Sequence, residues 1–267
     1  MIDFASIEND SYNFHSHTQF CDGKAPMEQF AAEAAARGFS HYGFSPHSPV
    51  PMESPCNMSE SQVELYLDEV ARLKCKYSGR TKFYASMEID YLGKQWGPAH
   101  PYFHRLPLDY RIGSVHFIPS QDGTLIDIDG RFDSFRRKMS EHFHNDIRYV
   151  VNKFYDQSIS MVAEGGFDII GHFDKIGHNA AHYCQGIEDE PWYQLRVNDL
   201  IDAIIDAGLT VEINTKAWTD HHRMFPAIRH WKRLKDAGTT LIVNSDAHVP
   251  TLIDASRREA LDILASL

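Results

Sequence analysis

The sequence predicts an α/β protein in which seven strand and helix units close into a TIM-like (β/α) barrel, one unit short of the eight-fold type. Three observations predict it. Short apolar or β-branched runs recur at 12–17, 40–44, 82–89, 111–117, 167–172, 209–214 and 240–245. Helical signals follow most of them. No Pro/Gly/Ser linker, fixed-period repeat or low-complexity tract divides the 267 residues, so one domain over 1–267 is expected. An open doubly wound sheet is the structural alternative, and both arrangements gather functional side chains at the carboxyl ends of the strands.

After the first strand, Pro26 at a first-turn position, the Ala-rich run 27–37 and Gly38 as a stop predict a helix. After the second, Ser59-Glu60-Ser61-Gln62 resembles a capping box. It would open a helix whose apolar face is Val63, Tyr66, Leu67, Val70 and Leu73. The connection 90–110 is rich in proline and glycine and is expected to be irregular. Further helices are expected near 134–163, 193–207 (closed by Gly208), 226–237 (closed by Gly238) and 254–265.

Composition narrows the function classes. With 43% hydrophobic and 12% aromatic residues the chain can bury a core. No stretch approaches the roughly 20 apolar residues of a membrane span, so no membrane partner is expected. Met1-Ile2-Asp3-Phe4 begins no basic-then-apolar leader, and a cytoplasmic location is expected. Cys21, Cys56, Cys75 and Cys184 form no Cys-x-x-Cys pair, which fits reduced thiols. A net charge of −11 disfavours nucleic acid as a partner but leaves a small anionic substrate open.

Histidine is the outlier, with 16 copies. Alternation along a strand puts His15 and His17 on one face, with Asp22 close behind in the following loop. An isolated His-x-His is most often a polar strand edge. Here every other predicted strand also ends in a candidate ligand: His47, Glu88, His116, His172, the pair Glu212 and Asn214, and Asp246 with His248. The remaining histidines, among them His142, His144, His221 and His222, read as helix or loop surface. Six imidazoles and at least three carboxylates exceed what one closed zinc site takes, which points to a multinuclear centre. Nitrogen and oxygen donors without thiolate suit zinc, manganese or iron.

The words that carry these residues are His15-x-His17, Phe44-Ser45-Pro46-His47-Ser48-Pro49, Met87-Glu88-Ile89-Asp90-Tyr91, Ile112-Gly113-Ser114-Val115-His116-Phe117, Gly171-His172-Phe173-Asp174, Glu212-Ile213-Asn214-Thr215 and Ser245-Asp246-Ala247-His248. In this order they resemble the polymerase and histidinol phosphatase (PHP) superfamily across nearly the whole chain. The words around His47, Glu88 and His116 resemble its histidinol-phosphatase branch. The resemblance implies a distorted (β/α)7 barrel holding three divalent ions at its C-terminal mouth. It implies His15, His17, Glu88 and Asp246 as ligands of one ion, with Glu88 bridging to a second that also takes His116 and His172. Asp22, His47 and His248 would hold the third; some relatives carry a histidine at the Asp22 position.

The implied reaction is hydrolysis of L-histidinol phosphate to L-histidinol and inorganic phosphate in histidine biosynthesis, by attack of water activated by the metals. Another small phosphate ester or nucleotide is the alternative substrate, and a non-catalytic metal-binding module the remaining reading. Glu88, Asp246 and His248 are the expected catalytic groups. Lys24, Arg111, Lys175, Lys216 and Arg223 flank the ligand loops and are candidates to grip phosphate. Glu212, Asn214, Asp90 and Asp174 are expected to orient imidazole or substrate, with Glu212 also a candidate wall for the substrate ammonium.

Overall fold

The computed structural model describes residues 2–7 and 10–267; Met1, Glu8 and Asn9, which belong to the domain expected over 1–267, lie outside the described residues. Its strands are Tyr12–Asn13 (β1), His41–Phe44 (β2), Lys82–Ala85 (β3), Glu88–Asp90 (β4), Ile112–Ser114 (β5), Phe117–Pro119 (β6), Leu125–Asp127 (β7), Ile169–Ile170 (β8), Thr210–Asn214 (β9) and Leu241–Asn244 (β10). The helices are Met27–Ala36 (α1), Val63–Lys76 (α2), Pro101–His104 (α3), Phe132–His142 (α4), Ile147–Glu164 (α5), Ile176–Tyr183 (α6), Pro191–Ala207 (α7), Trp218–His221 (α8), Trp231–Asp236 (α9) and Arg257–Ser266 (α10).

Parallel pairing runs β1-β2-β3 and then β4-β5-β8-β9-β10. The run 82–89, expected as one strand, breaks after Ala85: β3 stays on β2 and β4 moves to β5. Tyr66 of α2 fills the break, its hydroxyl 2.9 Å from the Phe44 carbonyl and 2.6 Å from that of Ser86. The loop after β2 keeps company with β4, since Glu88 N–H donates to the Pro46 carbonyl (3.0 Å) and Ser48 N–H to that of Glu88 (2.8 Å). This carries His47 to the level of Glu88, where the two residues form a parallel bridge.

The ring closes between β10 and β1, partly through side-chain amides in place of a ladder. Phe14 N–H donates to Asn244 Oδ1 (2.8 Å) and Ser245 N–H to Asn13 Oδ1 (3.0 Å), while His17 N–H reaches the Ala247 carbonyl (2.8 Å). The result is a distorted seven-stranded parallel barrel.

Alternation sorts the strand residues. On β9, Val211 and Ile213 face the helices while Glu212 and Asn214 face inward. The barrel floor is apolar: Tyr12, Phe14, Tyr84, Ile112, Ile169 and Ile242 pack together, with Phe4 edge-on against Phe14. Gly43 is required there, because a Cβ would fall 1.9 Å from the Tyr110 hydroxyl, which donates to the Phe14 carbonyl. Outside, α1 and α2 bury Phe30, Tyr66, Val70 and Leu73, and α5 and α7 bury Val150, Phe154, Leu200 and Ile204. Each large side chain so buried contributes on the order of 1.5–3 kcal/mol.

Three expectations need correction. The helix expected at 134–163 is two, α4 and α5, because His144 and Asn145 adopt left-handed φ of +50° and +61° and turn the chain. Pro26 is the residue before α1, not its first. The run 111–117 ends early, and Phe117 starts the antiparallel hairpin β6-β7, which sits at the mouth. No described helix is long and apolar enough to cross a membrane.

Candidate metal centre

Above the apolar floor the inward residues turn polar, and the strand ends bring His15, His17, His47, Glu88, His116, His172, Asp246 and His248 to one rim, with Asp22 beside them. Glu88, fully buried at the start of β4, is the hub. Its Oε2 lies 3.3 Å from His15 Nε2, 3.4 Å from His17 Nε2 and 3.1 Å from His47 Nδ1. Its Oε1 lies 2.8 Å from His172 Nε2 and 3.5 Å from His116 Nε2. Asp246 Oδ1 sits 3.1 Å from His17 Nε2 and 3.8 Å from His15 Nε2. Asp22 Oδ2 sits 3.2 Å from His248 Nε2. Asp246 adopts φ +48°, a conformation costing a non-glycine residue on the order of 1 kcal/mol, at the point where its carboxylate enters the rim.

The donor set fits divalent cations. Among the described residues three groups have ligand atoms within 4.8 Å of one another: His15, His17 and Asp246; His47, Glu88 and His116; and His17, Asp22, His47 and His248. His17 and His47 each belong to two of them, so the groups are contiguous. Four rim atoms, Glu88 Oε2, His47 Nδ1, His116 Nε2 and Asp22 Oδ1, are buried without a hydrogen-bond partner, as atoms that face a bound cation are.

The tautomers are set from behind. His15 Nδ1–H donates to Glu212 Oε1 (2.6 Å), His116 Nδ1–H to Asp90 Oδ1 (2.6 Å) and His248 Nδ1–H to the Asp246 carbonyl (3.0 Å). Each bond leaves an Nε2 lone pair for a metal. In the metal-free chain burial opposes charge on Glu88, but His15, His47 and His116 outweigh it and hold the carboxyl well below its usual range. Burial likewise opposes ionisation of Asp246 and is overcome by Lys216 and His15. His17 is pushed well below its ordinary value by burial and by His248 and His47. His116 goes the other way: against burial, Asp90 and Glu88 lift it to about 9.

Glu212 does not reach the mouth, which corrects its expected place in a wall for the substrate. It is fully buried inside the barrel, where four donors converge on it: His15 Nδ1 and Asn244 Nδ2 on Oε1, His172 N–H and Asn214 Nδ2 on Oε2. Glu212→Gln would turn an amide N–H toward two of those donors and release the His15 tautomer. A drop in metal affinity of about 10–100-fold is expected, read as metal retained after dialysis against a weak chelator.

Two basic candidates do reach the mouth. Lys175 Nζ sits 2.7 Å from Asp129 Oδ2, and Lys216 Nζ 3.4 Å from Asp246 Oδ1 and 3.3 Å from His248 Nε2. Three others do not. Arg111 precedes β5, at the opposite end of the barrel from the rim, and donates to the Phe103 carbonyl (3.0 Å). Arg223 is held bidentately by Glu188 (2.9 and 2.7 Å). Lys24 is exposed and lines neither cavity at the mouth. Asp174, expected to orient a ligand, instead accepts from Ala227 N–H (2.8 Å) beside Arg223, and burial raises its carboxyl to about 6. Asn214 Nδ2 spans Glu212 and Asp246 at 3.1 Å each. Sequence reading missed Asp129, which the β6-β7 hairpin delivers to the mouth; His221, read as surface, is exposed and also lines a cavity there.

Fold and site together define a class of protein: a seven-stranded parallel barrel whose strand ends converge on nitrogen and oxygen donors able to hold metal ions. The family model of the PHP domain matches residues 13–216, and the chain belongs to that family. The chain is 23% identical over 266 residues to the histidinol-phosphatase of Bacillus subtilis, covering 88% of this chain and 92% of that one. It is 24% identical over 253 residues to the probable histidinol-phosphatase of Schizosaccharomyces pombe, covering 88% and 80%. Among solved structures it superposes on the histidinol phosphate phosphatase of Lactococcus lactis, complexed with zinc, L-histidinol and phosphate, with TM-score 0.72 at 17% identity, covering 96% of this chain and 93% of that one.

Proposed function

We propose that this chain is a metal-dependent phosphomonoesterase that hydrolyses L-histidinol phosphate to L-histidinol and inorganic phosphate, a step of histidine biosynthesis. The observation that carries the reading is the rim of imidazoles around Glu88, open on one side to a cavity of about 480 Å³ into which Lys175 and Lys216 project. The names borne by the relatives support the substrate.

Three divalent ions, of zinc, manganese or iron, would be held by His15, His17, Glu88 and Asp246, by Glu88, His116 and His172, and by Asp22, His47 and His248. Bound there, they supply the positive charge a dianionic ester requires and the acidity that makes water a nucleophile near neutral pH. The protein does the positioning. Lys175 and Lys216 grip phosphoryl oxygens from the cavity side, and the Asp129 carboxylate keeps Lys175 charged despite its burial. Asp246 and His248 face the cavity together beside Lys216 and are the groups assigned to proton transfer with the leaving oxygen.

The test is phosphate release by metal-replete protein across a panel of esters. Histidinol phosphate should exceed nucleoside monophosphates and simple alkyl phosphates in kcat/KM by at least about 10-fold. No release above that of a His15→Ala, Asp246→Ala double variant would sink the proposal.

A further inference from the structure

The mouth has a second lobe whose far wall lies beyond the hydrolytic groups. About 450 Å³ in volume, it meets the first cavity at Asp129, Lys175, Lys216 and Asp246 and extends from there toward α6 and α8. Its walls are aromatic and imidazole. His178 and His182 lie one turn apart on α6 with ring centroids 4.6 Å apart, and His221 at the end of α8 lies 4.5 Å from His178. Phe132 stands 5.6 Å from His182, and Phe225 6.4 Å from His178. None of the three imidazoles has an ion-pair partner among the described residues; His182 Nδ1–H donates to the His178 carbonyl at 2.8 Å.

We propose that this lobe is the leaving-group subsite and selects alcohols that carry a flat heteroaromatic ring, the ring lying against His178, His221 and Phe225. The inference rests on the phosphomonoesterase reading above and names which part of the site reads the alcohol. Three arguments support it. First, phosphate belongs where both lysines are in reach, at the junction of the lobes. From that point the first cavity leads into carboxylates and metal ligands, whereas the second offers ring faces on which a planar group stacks and loses water favourably.

Second, His178, which stands between the other two rings, is not a phosphate grip. Burial and the neighbouring His221 and His182 push His178 down to about 4, so it is neutral at physiological pH and adds no positive charge. A neutral imidazole at His178 can present either a donor or an acceptor to the edge of a polar heterocycle, which leucine or phenylalanine could not. Third, the trio is not a further metal site, since among the described residues it does not form a group with ligand atoms within 4.8 Å of one another. At the outer edge Asp220, with no ion-pair partner among the described residues, faces the same lobe and suits an ammonium on the same alcohol.

The experiment compares wild type with a His178→Leu, His221→Leu double variant on histidinol phosphate and on ring-less 2-aminoethyl phosphate, with metal content measured for both proteins. The variant is expected to lose on the order of 30-fold in kcat/KM on histidinol phosphate, carried mainly by KM. It should change less than about threefold on the ring-less ester, keep its metal, and bind L-histidinol correspondingly more weakly by calorimetry. Equal losses on both esters, or unchanged preference between them, would overturn the lobe assignment while leaving the phosphatase reading intact. Wild type that releases phosphate from neither ester would overturn both.

Discussion

Glu88→Gln is expected to slow phosphate release by about 10³-fold or more and to leave the purified chain short of at least one metal equivalent. No other carboxylate of the rim lies within 4 Å of five imidazoles, three through Oε2 and two through Oε1. Glutamine keeps the size but replaces an anion with a neutral amide, and one of its two oxygens becomes an N–H donor. On the ligand assignment proposed above, the metals would lose a shared negative charge and a ligand atom, and the amide N–H would face imidazole nitrogens whose lone pairs point inward. A factor of about 10³ corresponds to roughly 4 kcal/mol of barrier, within what metal polarisation supplies to such reactions. The fold should survive, because the cores that support β4 lie outside the barrel around Tyr66 and Phe103 and do not depend on the rim. Elemental analysis and turnover measured on the same sample check the expectation. A Glu88→Gln chain with full metal content and wild-type rate would remove the hub role argued above.

What the sequence made legible follows from what periodicity and position encode. Strand ends announce themselves by a switch from β-branched residues to glycine, serine or histidine, so His15, Glu88, His116, His172 and Asp246 could be placed on one rim before any coordinates. Alternation also told that Glu212 faces inward, but not how deep it lies. Depth depends on Asn214 and Asn244 approaching from two other strand positions. The basic residues were the least legible. Arg223 and Lys216 look alike beside a ligand loop, and only the distant Glu188 decides that the first is spent on an ion pair. Arg111 stands one residue before its strand, which puts it at the wrong end of the barrel. Asp129, His178, His182 and His221 carry no strand-end signal at all, since a hairpin and two short helices bring them to the mouth. The break between α4 and α5 was hidden because His144 and Asn145 turn left-handed inside an otherwise helical pattern.

Stripped and metal-loaded protein should respond to pH in opposite directions. In the metal-free chain His116 titrates at about 9 against 6.5 in an unfolded chain, with Asp90 at 2.6 Å holding the proton against the cost of burial. Between those two values the folded state binds a proton that the unfolded state has released, so stability is fully present below about 6.5 and is lost as pH rises through 9. The full span is worth about 3 kcal/mol for this one buried group. His15, raised well above its ordinary value against burial by Glu212, Asp246 and Glu88, acts with the same sign. His17, His47 and His172 are lowered, so their contributions change only at and below about 6.5 and do not offset the trend in this window. On the ligand assignment proposed above, metal binding would require the same imidazoles as neutral ligands, so loading would release protons and tighten as pH rises. Unfolding by urea at pH 6.5, 7.5 and 9 should therefore show the chelator-stripped protein weakening while the loaded protein holds or gains, and Asp90→Asn should flatten the stripped series. A stripped protein more stable at pH 9 than at pH 6.5 would contradict the charge balance assigned to the rim.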